Sequence, residues 1–158
     1  MLRFLFIAVP MFGLGAIFGA FMWWAFSPLL FDTVVNDQVE VVQGDQQLAM
    51  GSFQGADDFH QGSGTAQLVR KADGKLEIHF KDFDVTNGPD LKVYVSSHEG
   101  PTKASDVLDN AWTNISQLKG NKGDQVYRLP DTVSESDIAS VVIWCEAFSV
   151  LFATASLS

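Results

Sequence analysis

From Phe4 to Phe31 the chain carries no charged side chain, and this run constrains the possible folds more than any other feature. As an α-helix rising ~1.5 Å per residue it would reach ~42 Å, against a hydrocarbon core of ~30 Å. Residues 1–31 therefore read as an N-terminal transmembrane anchor. A cleaved signal peptide is the competing reading, with Ala25 and Ser27 as its small residues. The run exceeds the roughly 7–15 residues usual for such a segment, and Pro28 follows directly. Arg3 is the only Lys or Arg before Arg70. Positive-inside logic then expects a single-pass protein with a cytoplasmic N-terminus and a domain that is periplasmic or extracellular. Trp23 and Trp24 fit an outer aromatic belt. Gly15 and Gly19 form a GxxxG pair, seconded by Ala16 and Ala20, which offers a helix-mediated homodimer.

Charge falls on the other side of this boundary. Every acidic residue lies at or after Asp32, and Arg3 is the only charged side chain before it, so the remainder is one unit more negative than the whole chain's −9. A surface of that sign repels nucleic acid and anionic lipid heads, which disfavours them as partners. It suits a solvated domain, and it would also steer a cationic partner.

Residues 32–46 read as a linker, with a first strand conceivable at Val39-Glu-Val-Val-Gln43, and residues 47–158 as one all-β domain. Short apolar runs alternate with turn signals in the manner of an antiparallel β-sandwich of about eight or nine strands. The candidate strands are 48–53, 65–70, 76–80, 82–85, 91–96, 114–118, 125–129, 140–144 and 148–155. Between them lie Ala72-Asp-Gly74, Thr86-Asn-Gly-Pro-Asp90, Lys119-Gly-Asn-Lys-Gly-Asp124 and Pro130-Asp131, where Gly and Asn accept positive φ and Pro presets the bend. Short helices fit 105–110 and 134–139, the latter capped by Ser134 or Ser136. Leu76, Ile78 and Phe80 alternate with Glu77, His79 and Lys81, which predicts one wet face. Leu91, Val93 and Val95 alternate likewise with Lys92, Tyr94 and Ser96. By contrast, Ser140-Val-Val-Ile-Trp-Cys145 is apolar on both parities, as expected of a strand covered on both sides.

The catalytic motifs are missing. The domain has no CxxC pair, CxxCH haem-attachment site, HExxH zinc site, GxSxG elbow or phosphate-binding glycine loop. A self-contained enzyme is not indicated. What remains is Cys145, the only cysteine, and three histidines. A lone cysteine forms no intramolecular disulfide, so it is a free thiol, a ligand, or a small buried hydrophobe. A soft sulfur ligates haem or copper well; Glu146 beside it opposes a thiolate. His60, in the loop Asp58-Phe-His-Gln-Gly62, is the best second candidate, as a ligand or proton carrier or simply as a solvent-facing side chain. His79 reads as surface, and His98 carries no role. Trp144 and Phe148 flank the cysteine as core packing or as a stacking platform. Asn114-Ile-Ser116 fits a glycosylation sequon.

These residues together resemble a known family. Gly64-Thr-Ala66, Asp82-Phe83, Val85-Thr-Asn-Gly-Pro-Asp-Leu91, Val93-Tyr-Val-Ser96, Leu118-Lys-Gly-Asn-Lys-Gly-Asp-Gln125, Tyr127-x-Leu-Pro130 and Ser140-Val-Val-Ile-Trp-Cys145-x-x-Phe148-Ser-Val-Leu-Phe152 are similar to the DM13 domain, in order, from about Ala49 to Leu157. His60 with Gly62-Ser-Gly64 resembles the family's opening segment; Ala153 stands where Gly would be expected. The resemblance implies a β-sandwich-like module outside the membrane and a role in electron transfer. It also implies that Cys145 acts as a bare thiol or binds a prosthetic group such as haem; His60, from the reading of the loop, is the second cofactor-binding candidate. Because the domain stands alone here, its redox or cell-surface partner would be a separate protein. The alternatives are a non-catalytic protein- or ligand-binding module and a structural subunit of a membrane complex.

Overall fold

A computed structural model describes residues 11–23, 27, 31–39 and 42–158. Eight strands follow in order: β1 (Gln46–Gly55), β2 (Gly62–Arg70), β3 (Leu76–Val85), β4 (Leu91–Ser96), β5 (Trp112–Gln117), β6 (Lys122–Arg128), β7 (Ser140–Cys145) and β8 (Val150–Ser156). A short helix, Ala104–Leu108, joins β4 to β5, and a 3-10 turn, Glu135–Asp137, precedes β7. Ser134 and Asp137 cap that turn reciprocally, side chain to backbone in both directions.

The strands form one antiparallel sheet in the order β5-β4-β7-β8-β1-β2-β3-β6. This corrects the expected sandwich of two sheets. Alternation along a strand says which face is buried but not which neighbour it pairs with. The deciding element is β1, which serves both halves. Gln46 to Ser52 pair with β2, and Phe53 to Gly55 pair with β8. The sheet curls into a half-barrel around one core, in which Phe53, Phe80, Phe83 and Tyr127 of one half meet Val93, Val141, Ile143 and Phe152 of the other. The two strands expected at 76–80 and 82–85 are one, β3, interrupted by a register shift between Phe80 and Phe83. That extra residue turns two aromatic rings three positions apart into the same core, both essentially unexposed.

The second correction concerns the N-terminus. Residues 11–23 are helical, but among the described residues no helix is long and apolar enough to cross a membrane. The helix is too short among these residues to supply the ~20 apolar positions a span requires. Residues 1–10, 24–26 and 28–30 of the expected anchor, and residues 40 and 41 of the conceivable first strand, lie outside the described residues.

The linker is not a free tether. Val34 bridges Lys122 in parallel, and the Val35 and Asp37 amides donate to the Lys122 and Asp124 carbonyls at 2.9 Å, so residues 33–37 extend the β6 edge. Asp37 also accepts from the Val126 amide and from Lys119. The Lys119 ammonium and then the Val126 amide hold its carboxyl below the ordinary value of 3.8, as Lys81 and then the Asp82 amide do for Asp124. Depressed carboxyl pKa values stabilise the folded state fully above the ordinary value, and this contribution is lost as pH falls through the lower folded values. Acidification below 3.8 is therefore expected to release this strip before the core unfolds. Amide chemical shifts of Val35 and Asp37 that move only together with those of the core strands would contradict this.

Candidate functional site

Cys145 ends β7, whose six residues are all buried. The strand is covered on both sides. Val141, Ile143 and Cys145 face the main core, while Val142 and Trp144 face a second cluster with Tyr94, Leu151 and Val107 of the short helix. Cys145 sits opposite Leu91 on β4 and Val150 on β8, is 1% exposed, and its thiol donates to the Pro89 carbonyl at 2.9 Å.

Pro89 belongs to the turn between β3 and β4, residues 86–90, which covers the sulfur. The turn is held at both ends. Thr86 and Gln61 exchange backbone and side-chain hydrogen bonds, with the Thr86 amide donating to the Gln61 carbonyl at 3.0 Å and the Gln61 amide donating to the Thr86 hydroxyl at 2.9 Å. At the other end the Glu146 amide donates to the Asp90 carbonyl at 3.2 Å. In between, Gly88 packs on Phe152: a Cβ there would lie 2.6 Å from the ring's Cζ and 3.0 Å from Leu91. Only glycine brings this backbone so close to an aromatic ring.

His60 reaches the same end of the sheet. Its ring packs on Phe152 with centroids 4.3 Å apart, and its Nδ1 pairs with Asp57 at 2.8 Å. The imidazole and then the His60 amide lower the Asp57 carboxyl pKa. The structure therefore gathers the two expected site residues around one turn, with Phe152 and Gly88 between them. Trp144 is buried, whereas Phe148 is 70% exposed.

These residues do not fit haem ligation through sulfur. Cys145 Sγ already donates to a backbone carbonyl and lies within the hydrocarbon core. The neighbouring groove of about 240 Å³ is lined by Asn87, Gly88, Asp90, Leu91, Leu118 and Lys119, among others, but not by Cys145. Among the described residues no group of three or more His, Cys, Asp or Glu is placed to hold a metal ion.

Two readings of wet faces are corrected. His79 is 4% exposed and its Nε2 lies 2.9 Å from Glu77. Its cross-strand neighbours Gln67 and Val126 flank it on both sides, and flanking strands cover an outward side chain in a way that alternation along its own strand does not reveal. Tyr94 is 2% exposed. Its phenol donates to Glu146 at 2.7 Å, Asn114 donates to the same oxygen at 3.0 Å, and Lys92 pairs with Asp90 at 2.9 Å and with Glu146 at 3.7 Å. Asp90 first, then Glu146, raises the Lys92 pKa. This polar cluster, just across the sheet from Cys145, was not foreseen. Its only sequence signal is Lys92-x-Tyr94 on one parity of β4, with Glu146 following the cysteine.

The fold and this site define a small antiparallel β module whose one thiol is sealed beneath a turn at the end of its most buried strand. Residues 52–157 match the family model described as Electron transfer DM13. The chain belongs to the DM13 family, and this supports a role in electron transfer. No curated protein matches the chain, and no solved structure does.

Proposed function

We propose that this protein is an electron-transfer domain that exchanges single electrons with a separate redox protein, with Cys145 as its redox group and His60 beside the covering turn. The family match supports the reading, and the observation that carries it to a residue is the placement of the one thiol under residues 86–90. In the closed form the acceptor at Sγ among the described residues is an amide carbonyl, which holds the thiol proton without taking it. Chemistry at sulfur thus requires the turn to lift. Water then takes the proton, and the thiolate gives one electron to the partner. The acidic surface favours a partner with a basic face.

Tris(phenanthroline)cobalt(III), a mild cationic one-electron oxidant, tests this in stopped flow. The wild-type protein is expected to reduce it, and Cys145→Ser is expected to lose that reaction. Equal electron yield from the two proteins rejects Cys145 as the redox group.

A further inference from the structure

A row of aromatic rings lies across β5, β4 and β7, on the face opposite Cys145. Trp112 of β5, Tyr94 of β4 and Trp144 of β7 form a continuous row of rings. Trp112 and Tyr94 are stacked with centroids 4.6 Å apart and planes within 5°, and Tyr94 and Trp144 follow at 6.3 Å and 26°. The register explains the row. Tyr94 pairs with Asn114 and with Val142, so each tryptophan is its diagonal neighbour two positions along the adjacent strand, within reach of aromatic side chains. The row runs from surface to interior: Trp112 is 42% exposed, Tyr94 2% and Trp144 3%. Its inner end is bonded through one peptide unit to Cys145.

We propose that Trp112, Tyr94 and Trp144 are the electron's route between the surface and the β7 strand, with Tyr94 a redox residue whose proton passes to Glu146. The proposal rests on the electron-transfer reading above. A one-electron oxidant, either the partner protein or a high-potential metal complex, removes one electron from the row. The Tyr94 O–H bond breaks, the phenol proton moves to the Glu146 carboxylate, and a neutral tyrosyl radical faces a carboxylic acid. Return of one electron from a reductant, with the proton from Glu146, restores the starting state.

Tyr127 shows what distinguishes Tyr94 from an ordinary buried tyrosine. These are the chain's only two tyrosines, and both are 2% exposed. The Tyr127 phenol donates to the side-chain carbonyl of Gln125, an amide that does not accept the proton outright. The Tyr94 phenol faces a carboxylate. Burial, followed by the hydrogen bond and negative charge of Glu146, raises the Tyr94 pKa, so the ground state keeps its proton until the electron leaves. Asn114 of β5 donates to the same carboxylate, and Lys92 of β4, itself paired with Asp90 of the covering turn, lies 3.7 Å from its other oxygen.

The test uses the full chain with tris(bipyridine)ruthenium(III) generated by flash-quench, read by transient absorption and electron paramagnetic resonance. A neutral tyrosyl radical is expected in the wild type and in Tyr127→Phe, and is expected to be absent in Tyr94→Phe. Loss of the charge-assisted hydrogen bond in Glu146→Gln is expected to slow radical formation by about tenfold or more. Glu146 is partly exposed, so this variant reports even if Tyr94→Phe fails to fold. A radical persisting in Tyr94→Phe, or a Glu146→Gln rate equal to wild type, overturns the proposal. The two failures are separable. A Tyr94 radical without cobalt reduction removes the role of Cys145 and keeps the route. Cobalt reduction without a Tyr94 radical removes the route alone.

Discussion

Alkylation of Cys145 by iodoacetamide is expected to run at least about a thousandfold slower in the folded protein than in the unfolded chain, an opening free energy of about 4 kcal/mol. The thiol is 1% exposed and hydrogen-bonded to Pro89, so a reagent reaches it only when residues 86–90 leave their place. That value lies below the roughly 5–15 kcal/mol of a whole domain, as local opening of one turn should. Gly88→Ala is expected to recover about tenfold or more of the lost rate. Its new methyl would lie 2.6 Å from the Phe152 ring and 3.0 Å from Leu91, side chains packed in the core, and the turn is expected to shift outward to relieve the overlap. Because the chain has one cysteine, a single mass increment reports the rate without ambiguity. Labelling at the unfolded rate in the native protein would mean that the turn does not cover the sulfur in solution. Equal rates for wild type and Gly88→Ala would mean that the opening occurs elsewhere.

Gly51→Ala is expected to destabilise the domain by about 2–4 kcal/mol, the worth of several backbone hydrogen bonds lost together. The added Cβ would lie 1.9 Å from the Ser156 carbonyl oxygen, a backbone atom that has no rotamer to give way with. The clash falls where β1 meets the end of the chain, between Met50, which exchanges hydrogen bonds with Ser158, and the paired residues Phe53 and Ala155. Urea denaturation measures the loss, and hydrogen exchange locates it. Protection should fall first at Met50 and Ser158, with β2, β3 and β6 retaining theirs until global unfolding. A variant as stable as wild type would show that the closure through β1 and β8 contributes little, and that the two halves of the sheet hold together through their core alone.

That closure is also where the sequence pattern and the tertiary structure part company. Strand positions were legible because side chains alternate with period two and turns need Gly, Pro or Asn. Thus Leu91–Ser96 was read at its observed bounds, and the covered strand, expected at 140–144 and observed at Ser140–Cys145, was recognised by apolar residues on both parities. The family was legible because its motifs fall in order along the chain. For the long uncharged run, lack of charge permits a membrane helix, but among the described residues only 11–23 form a continuous helix there, and it lacks the length for a crossing. His79 and Tyr94 were read as wet because alternation describes one strand, whereas their burial comes from side chains on the neighbouring strands.

By itself, then, the sequence determined that this is a β protein of the DM13 family with one thiol at the end of its most apolar strand. Those properties are local, set by the backbone's side-chain period and by the order of short motifs. Only the tertiary structure decided that β1 joins both halves into one curled sheet, that Pro89 seals the thiol, and that Trp112, Tyr94 and Trp144 line up across three strands. Each depends on pairing between residues distant in the chain. Register and curl select such contacts from many that the same alternation allows.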